Sequence, residues 1–527
     1  MRIFQTPVFQ TPVFQTAGLA KAASAVAVAL LLPLGNSALA QTDQDVTYHR
    51  DIEPILQRAC QTCHRAEGVA PMNLETYAEV APFAGLIEYR TGLVDRAGVM
   101  PPWYLERDIG IQQYKQDPAL TLEEIALISQ WARSGAVKGD EADAPPPMEW
   151  GEGAEWAAGP PDLIVRTDDL TVAAGTPDWW GNIERIPIPL EEDRYVKSVE
   201  IREINDLDLD AIDGAVGARN IVHHMIWSTQ MLDENGHATE QPIPWPVHEI
   251  ARNPDIFDED SGRLLQAGSS IVSDSVHLNS GAVDITGHLE IGFRFHEVGY
   301  EPKYPPARWG LGNGVDISIT GNETDQELHA YVVLNEPTKI VTFEPHLHAP
   351  GERMCLEAIW GYTIETLSCV GYDHNWVRGY PYADNHQPLL PAGTILHIIG
   401  YMNNTDTNVN VPDARNWQGS GNRSVTNMFI DLGMRVTLTE DQFFEEMTAR
   451  RENLNLGPND HVIGCPLCTV PLVAPVEISS ADFDEMSAEA IRFWDVTGEA
   501  SRTALAESSE EDSGNVSAAV ASYWRVD

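Results

Sequence analysis

The residues best suited to chemistry in this chain fall into a few short clusters. Cys60-Gln-Thr-Cys63-His64 sets two thiols and an imidazole within five positions. His223 and His224 are adjacent in Asn-Ile-Val-His-His-Met-Ile-Trp, and His296 ends Leu-Glu-Ile-Gly-Phe-Arg-Phe-His. His346 and His348 flank Leu347 in Phe-Glu-Pro-His-Leu-His-Ala-Pro-Gly, and Met428 closes the run Gly421-Asn-Arg-Ser-Val-Thr-Asn-Met. C-x-x-C-H is the spacing of covalent haem attachment: the thiols form thioethers with the vinyl groups, and the adjacent imidazole takes an axial iron position. The plain alternative is a disulfide beside an ordinary histidine. Imidazoles suit copper, zinc, iron or nickel, and an added thioether biases a site towards Cu(I). For any one histidine taken alone, a core or surface role is the plain alternative.

Those side chains need elements to aim them. On a strand, residues i and i+2 share a face, so His346 and His348 can grip one ion. Adjacent His223 and His224 point oppositely on a regular strand, and share an ion only at a strand end or bulge. Residues 41–138 read as helical. Ile52, Ile55 and Leu56 have helical spacing leading into the first Cys pair. Thr121-Leu-Glu-Glu124 is a capping box opening a helix with Leu122, Ile125, Ile128 and Trp131 inward, stopped by Gly135. Residues 139–161, acidic and Pro-rich, read as a linker. From Asp162 to about Val470 the texture is short alternating segments between Gly, Pro and Asn-Asp clusters, including 163–166, 186–190, 195–201, 289–295, 331–334 and 395–401. That length exceeds one sandwich, so a split near residue 325 gives two β-sandwiches of jelly-roll type, 162–325 and 326–470. The stretch 471–527 reads as a short helix and an acidic tail.

Composition bounds the function. Of 527 residues, 33 are basic and 79 acidic, a net charge of −46 that repels phosphate backbones and anionic lipid heads. Nucleic-acid binding is excluded on that ground. Residues 1–40 read as a signal peptide cut after Ala40: an apolar run from Ala25 to Leu34 precedes Ala38-Leu39-Ala40. The run is too short for a stable membrane span. Export to the periplasm or outside the cell puts the remaining cysteines where Cys355–Cys369 and Cys465–Cys468 disulfides form. His461 with Cys465 and Cys468 is a weaker candidate for a third metal site, and Asp206 to Asp213 reads as a solvated acidic loop rather than a calcium loop.

Two resemblances sharpen the picture. The segment 41–138 resembles a class I cytochrome c. Its sixth ligand would be Met100, in Val-Met-Pro-Pro-Trp, with Met72 the competitor in a packing role and His49 on the surface. The order His-His-Met, a strand-ending His, His-x-His, then Met resembles the copper type II, ascorbate-dependent monooxygenases. That family includes the peptidylglycine α-hydroxylating and dopamine β-monooxygenases. The similarity covers about 162–440, with support from Pro391-Ala-Gly-Thr394 and Tyr401-Met-Asn-Asn-Thr405. It implies an electron-transfer copper on His223, His224 and His296, and an oxygen-binding copper on His346, His348 and Met428. The two would face each other across an open cleft. Met402 and Met434 are the alternative thioethers, while Met225 and Met354 are packing residues. Glu297 stands where the family often has Tyr. Glu344 replaces a basic substrate-gripping residue, and Ile430 and Leu432 replace polar contacts, which argues against a peptide C-terminus as substrate.

The expectation is therefore a multidomain exported protein: a small all-α cytochrome c domain followed by two all-β jelly-roll sandwiches. It would bind two copper ions and one covalent haem c per chain and hydroxylate a C–H bond of a small organic substrate with O2. A small reductant or redox protein would supply electrons. The rival from another class is a non-catalytic haem/copper electron-transfer or copper-handling protein; a second enzymatic rival oxidises a small inorganic or amine substrate.

Overall fold

The computed structural model describes residues 45–468, apart from 67, 69, 152, 177–178, 208–219, 280, 309, 313, 422–425 and 458. The expected signal peptide, the expected acidic tail and most of the Asp206–Asp213 loop lie outside these residues. Among the described residues, no helix is long and apolar enough to cross a membrane.

The N-terminal part is short helices around a small core. A π-turn, Tyr48–Ile52, runs into α1 (Glu53–Ala59), which delivers Cys60; α2 (Ala84–Thr91) and α3 (Leu122–Arg133) follow. Thr121 and Glu124 form the expected reciprocal cap, and the chain leaves α3 through Gly135 at φ +94°, a conformation glycine adopts without strain. Ile128 and Trp131 are buried and Ile125 is partly so, but Leu122 is 61% exposed because the first helical turn projects beyond the core. The segment after α2 leaves this core altogether. Trp103, Leu105, Ile111 and Tyr114 pack among the residues of the second sandwich, with Leu105 bridged to Val370 and Tyr114 to Tyr382.

Most of the remaining chain is antiparallel β-sheet. In the first sandwich, one sheet is built from β1 (Leu163–Arg166), β3 (Arg194–Asn205) and β7 (Ile285–Phe295), in the order β1-β7-β3. The other is built from β2 (Trp179–Pro187), β4 (Val222–Gln230), β5 (His248–Glu249) and β6 (Ser270–Leu278), in the order β2-β6-β4 with β5 beside β4. Alternating residues of both sheets fill the space between them, with Trp227 stacked on Trp245 at 5.3 Å and Phe293 edge-on to Trp245. Such aromatic contacts add about 0.5–1.5 kcal/mol each beyond area burial.

The second sandwich has a sheet ordered β8-β12-β10-β11, from β8 (Glu323–Val333), β10 (Gly351–Trp360), β11 (Thr363–Gly371) and β12 (Ile395–Asn404). Opposite it, β9 (Pro345–Leu347) pairs with β13 (Phe429–Asp431), and β14 (Met434–Thr437) lies in a neighbouring sheet. Cys355 and Cys369 are register partners on β10 and β11 and form a disulfide, as do Cys465 and Cys468. His461 pairs with Glu365 at 2.9 Å, and with both thiols oxidised it is not part of a metal site. Met402 and Met434 are buried in the cores, as are Met225 and Met354.

Several expected boundaries move. Pro306–Arg308 pairs with β14 and Leu311–Gly312 with β13, so the second sandwich begins before residue 325. A helix, α4 (Glu440–Asn453), follows β14 behind a Thr439/Gln442 capping box, and its Phe443 and Met447 enter the first sandwich's core together with Met434 and Val436. The expected linker is an ordered strap. Trp156 is buried beside Gly292, Ala157 and Ala158 donate backbone N–H bonds to Glu200, and Arg294 donates to the Gly159 carbonyl. It also bonds to the helical part, where Arg65 donates to the Ala154 carbonyl and Gln57 to the Pro146 carbonyl. A large indole anchored this way outweighs the chain entropy that acidic, Pro-rich composition favours.

Cleavage within 139–161 therefore leaves the helical part bound. Native gel filtration of nicked protein is expected to give one peak at the intact mass; release of a separate N-terminal fragment without denaturant contradicts this packing.

Candidate metal centre

β4 carries His223 and His224 into the interior. Its register against β6 pairs His224 with His277, then slips so that Leu278 meets Val222. His223 is the extra residue of that bulge. The bulge turns adjacent side chains towards one place, which a regular strand cannot do. His223, His224 and His277 are all buried, with ring nitrogens within 4.8 Å of one another. His277 carries a sequence signal only in hindsight, as a histidine in a strand opposite His224.

His296 does not join them. It follows β7 in the other sheet, its ring lies flat on Tyr300 at 3.8 Å, and its backbone N–H bonds to the Tyr195 carbonyl. The resemblance selected the strand-ending histidine, whereas cross-strand register brings His277 to the site.

From the second sandwich, His346 and His348 on and just beyond β9 have ring centroids 5.3 Å apart. Leu347 pairs with Phe429, the residue after Met428, and His348 Nδ1 bonds to the Thr426 carbonyl at 3.1 Å. The two sets are not separated by an open cleft. His224 is 6.1 Å from His346 between ring centroids, and a sixth ring, His374, lies 4.7 Å from His223 and 6.3 Å from His348. His374 sits in the turn after β11, which the backbone fastens to the first sandwich through Val377 and Ile250. No spacing in the sequence marks it.

Electrostatics favour neutral rings. Burial, reinforced by the neighbouring imidazoles, holds His223, His224 and His348 well below the ordinary histidine value. His248, beside them on β5, is pushed down to about 4 by burial and by Arg252. Neutral imidazoles are the form that ligates metal. Behind them stand carboxylates: Glu249 bonds to His346 Nδ1, orienting Nε2 forward as a metal-ligating histidine requires. Arg252 holds Glu249, Asp255 and Glu344, the last by two bonds of 2.7 and 2.8 Å. Glu344 is therefore inside this cluster and faces no substrate. Burial holds its carboxyl above the usual range despite Arg252. With Glu344 held towards its neutral form, Glu249 and Asp255 are the charged carboxylates on Arg252, and Glu249 brings its charge to the His346 ring. His223 Nε2 is buried without a hydrogen-bond partner. Donor set, charge and orphaned nitrogen all fit a soft or borderline metal such as copper.

The haem motif follows α1. Cys60 and Cys63 are free thiols, and burial pushes Cys60 up to about 12 and Cys63 above its ordinary value, unlike the thiolates of a redox C-x-x-C. His64 Nδ1 bonds to the Met72 carbonyl at 3.0 Å, which fixes the ring and leaves Nε2 outside that bond. The Met72 side chain packs against the small core. His49 is buried rather than on the surface, paired with Glu53 at 2.7 Å.

No family model and no curated protein matches this chain. Among solved structures, the infectious bursal disease virus VP2 subviral particle is 9% identical, with 53% of this chain and 72% of that chain covered and a TM-score of 0.17. The structure of the Gx strain of that virus gives 9%, 53%, 72% and 0.15. Similarity at these scores carries no argument about fold or function.

A pH dependence follows from the buried rings. Below about pH 6.5 the unfolded chain protonates its histidines while His223, His224 and His348 resist, so folding loses about 1.4 kcal/mol per pH unit for each such ring. Metal-free protein is expected to show a urea midpoint that falls from pH 6.5 to 5.5, the three rings outweighing the opposite effect of the raised carboxyl of Glu344. A midpoint unchanged across that interval contradicts neutral burial.

Proposed function

We propose that this chain is an exported copper-dependent monooxygenase that hydroxylates a C–H bond of a small organic substrate with O2, its electrons relayed through a c-type haem. The observation that carries this reading is the meeting of two histidine sets, from two sandwiches, in one buried run of imidazoles. His223, His224 and His277 would hold one copper, and His346, His348 and Met428 the other. Bound there, two coppers supply one electron each and a position for O2.

The chain's own groups prepare that site. Glu249 and the Thr426 carbonyl each fix one ring nitrogen of His346 and His348, so the opposite nitrogens face the centre. Met428 immediately precedes the strand that pairs with the His-x-His strand and would add a soft donor to that set only. The two sandwiches wall off water and keep the rings neutral. On the haem side, Cys60 and Cys63 would hold the macrocycle, His64 would ligate the iron, and Met100 would be the sixth ligand, since Met72 is engaged in packing and in fixing His64. A small reductant or redox protein would feed electrons to the haem.

Mature protein loaded with copper is expected to hold two copper ions and to place oxygen-18 from O2 in an organic product of a metabolite screen. Substrate-dependent electron flow without label in any product marks the non-catalytic electron-transfer alternative, and zinc that copper cannot displace overturns the copper reading. Met428→Ala is expected to abolish turnover and weaken Cu(I) retention for one copper of the two.

The haem assignment has its own check. Met100→Ala is expected to shift the low-spin haem spectrum while Met72→Ala leaves it in place; the reverse makes Met72 the ligand.

A further inference from the structure

The loop carrying Met100 and the histidine cluster are joined by one short turn. The Gly98 amide donates to Asp373 Oδ2 at 3.0 Å, and the Tyr104 hydroxyl reaches the same oxygen at 3.4 Å. Asp373 and Tyr104 are buried. One peptide bond further on, the His374 ring stands 4.7 Å from His223 and 6.3 Å from His348. Both ends of the turn are clamped. Arg378 Nε donates to the Pro102 carbonyl at 3.1 Å, and Val377 donates to Ile250, whose own amide donates to His223 at 2.7 Å. The haem-side loop is therefore held against the cluster by a continuous set of bonds rather than by chance encounter.

We infer that the Asp373–His374 turn is the route by which an electron passes from the haem loop into the histidine cluster, with His374 as the point of entry. This rests on the haem-and-copper reading above. With both groups bound, the step would move one electron from a ferrous haem held by Cys60, Cys63 and His64, leaving it ferric, to a cupric ion held by the histidine cluster, leaving it cuprous. No bond breaks and no proton has to move. Tunnelling favours bonded and hydrogen-bonded contact over open space, and here the path from Gly98 to His223 crosses one hydrogen bond, one side chain, one peptide link and one ring contact. A purely structural turn also needs Asp373, whose other oxygen caps the Asn375 amide at 3.0 Å, but it does not need an imidazole facing the metal cluster.

The test uses full-length protein carrying haem and copper. Pyridine haemochrome spectra and metal analysis of the parent come first; absence of haem or of copper there defeats the underlying reading itself. The haem is then reduced by a flash without O2, and its reoxidation by cupric copper is followed at the haem band. His374→Phe keeps a ring of similar size. It is expected to slow reoxidation at least ten-fold while the haem spectrum and midpoint potential stay at parent values. Reoxidation at the parental rate overturns the inference. If His374→Phe fails to fold or loses copper, Asp373→Ala decides: it leaves every histidine in place and severs the bond to Gly98. Slowing with unchanged copper content supports the route, and an unchanged rate overturns it.

Discussion

The guanidinium of Arg252 is buried between the sandwiches and touches Glu249 and Asp255 on its own segment and Glu344 at the threshold of the His-x-His strand. Removing one partner from a buried charge pair typically costs about 3–5 kcal/mol, because the other charge is left uncompensated. Glu249 and Asp255 hold the guanidinium in place, and its contact with Glu344 is the one of the three that joins the two sandwiches. The same contacts also set the candidate centre, since Glu249 is both a partner of Arg252 and the group that orients His346.

Burying six imidazoles in one region is costly unless each stays neutral and each has a task. Burial meets the first condition for His223, His224 and His348. The fold meets the second by backbone geometry. A bulge turns His223 alongside His224, cross-strand register adds His277, and a turn fastened to both sandwiches adds His374. The result is a polar interior whose nitrogens suit metal ligation.

The helical part is tied into the rest of the chain at two levels. Its strap carries Trp156 into the first sandwich, and the segment from Trp103 to Tyr114 belongs to the core of the second. A helical part on a loose tether would take many orientations. Here the Met100 loop has one position, because Gly98, Pro102 and Tyr104 each bond to the turn that ends in the cluster.

The C-x-x-C-H motif, the Thr121 cap, both disulfides and the strands around 163–166, 195–201, 289–295 and 395–401 are local patterns, and the sequence by itself determined them. Spacing of thiols, capping pairs and period-two alternation are set by chain geometry over a few residues. His223, His224, His346 and His348 were legible for the same reason. His277 and His374 were not, because a single histidine in a strand or turn has no spacing to mark it; only pairing with β4 and the fastening of the 372–378 turn bring them in. The same holds for the strap, whose polar, Pro-rich composition gives no sign that one tryptophan finds a pocket beside Gly292. His296 shows the converse: its place at a strand end was visible, but the strand lies in the opposite sheet, and sheet assignment is a long-range choice made by packing.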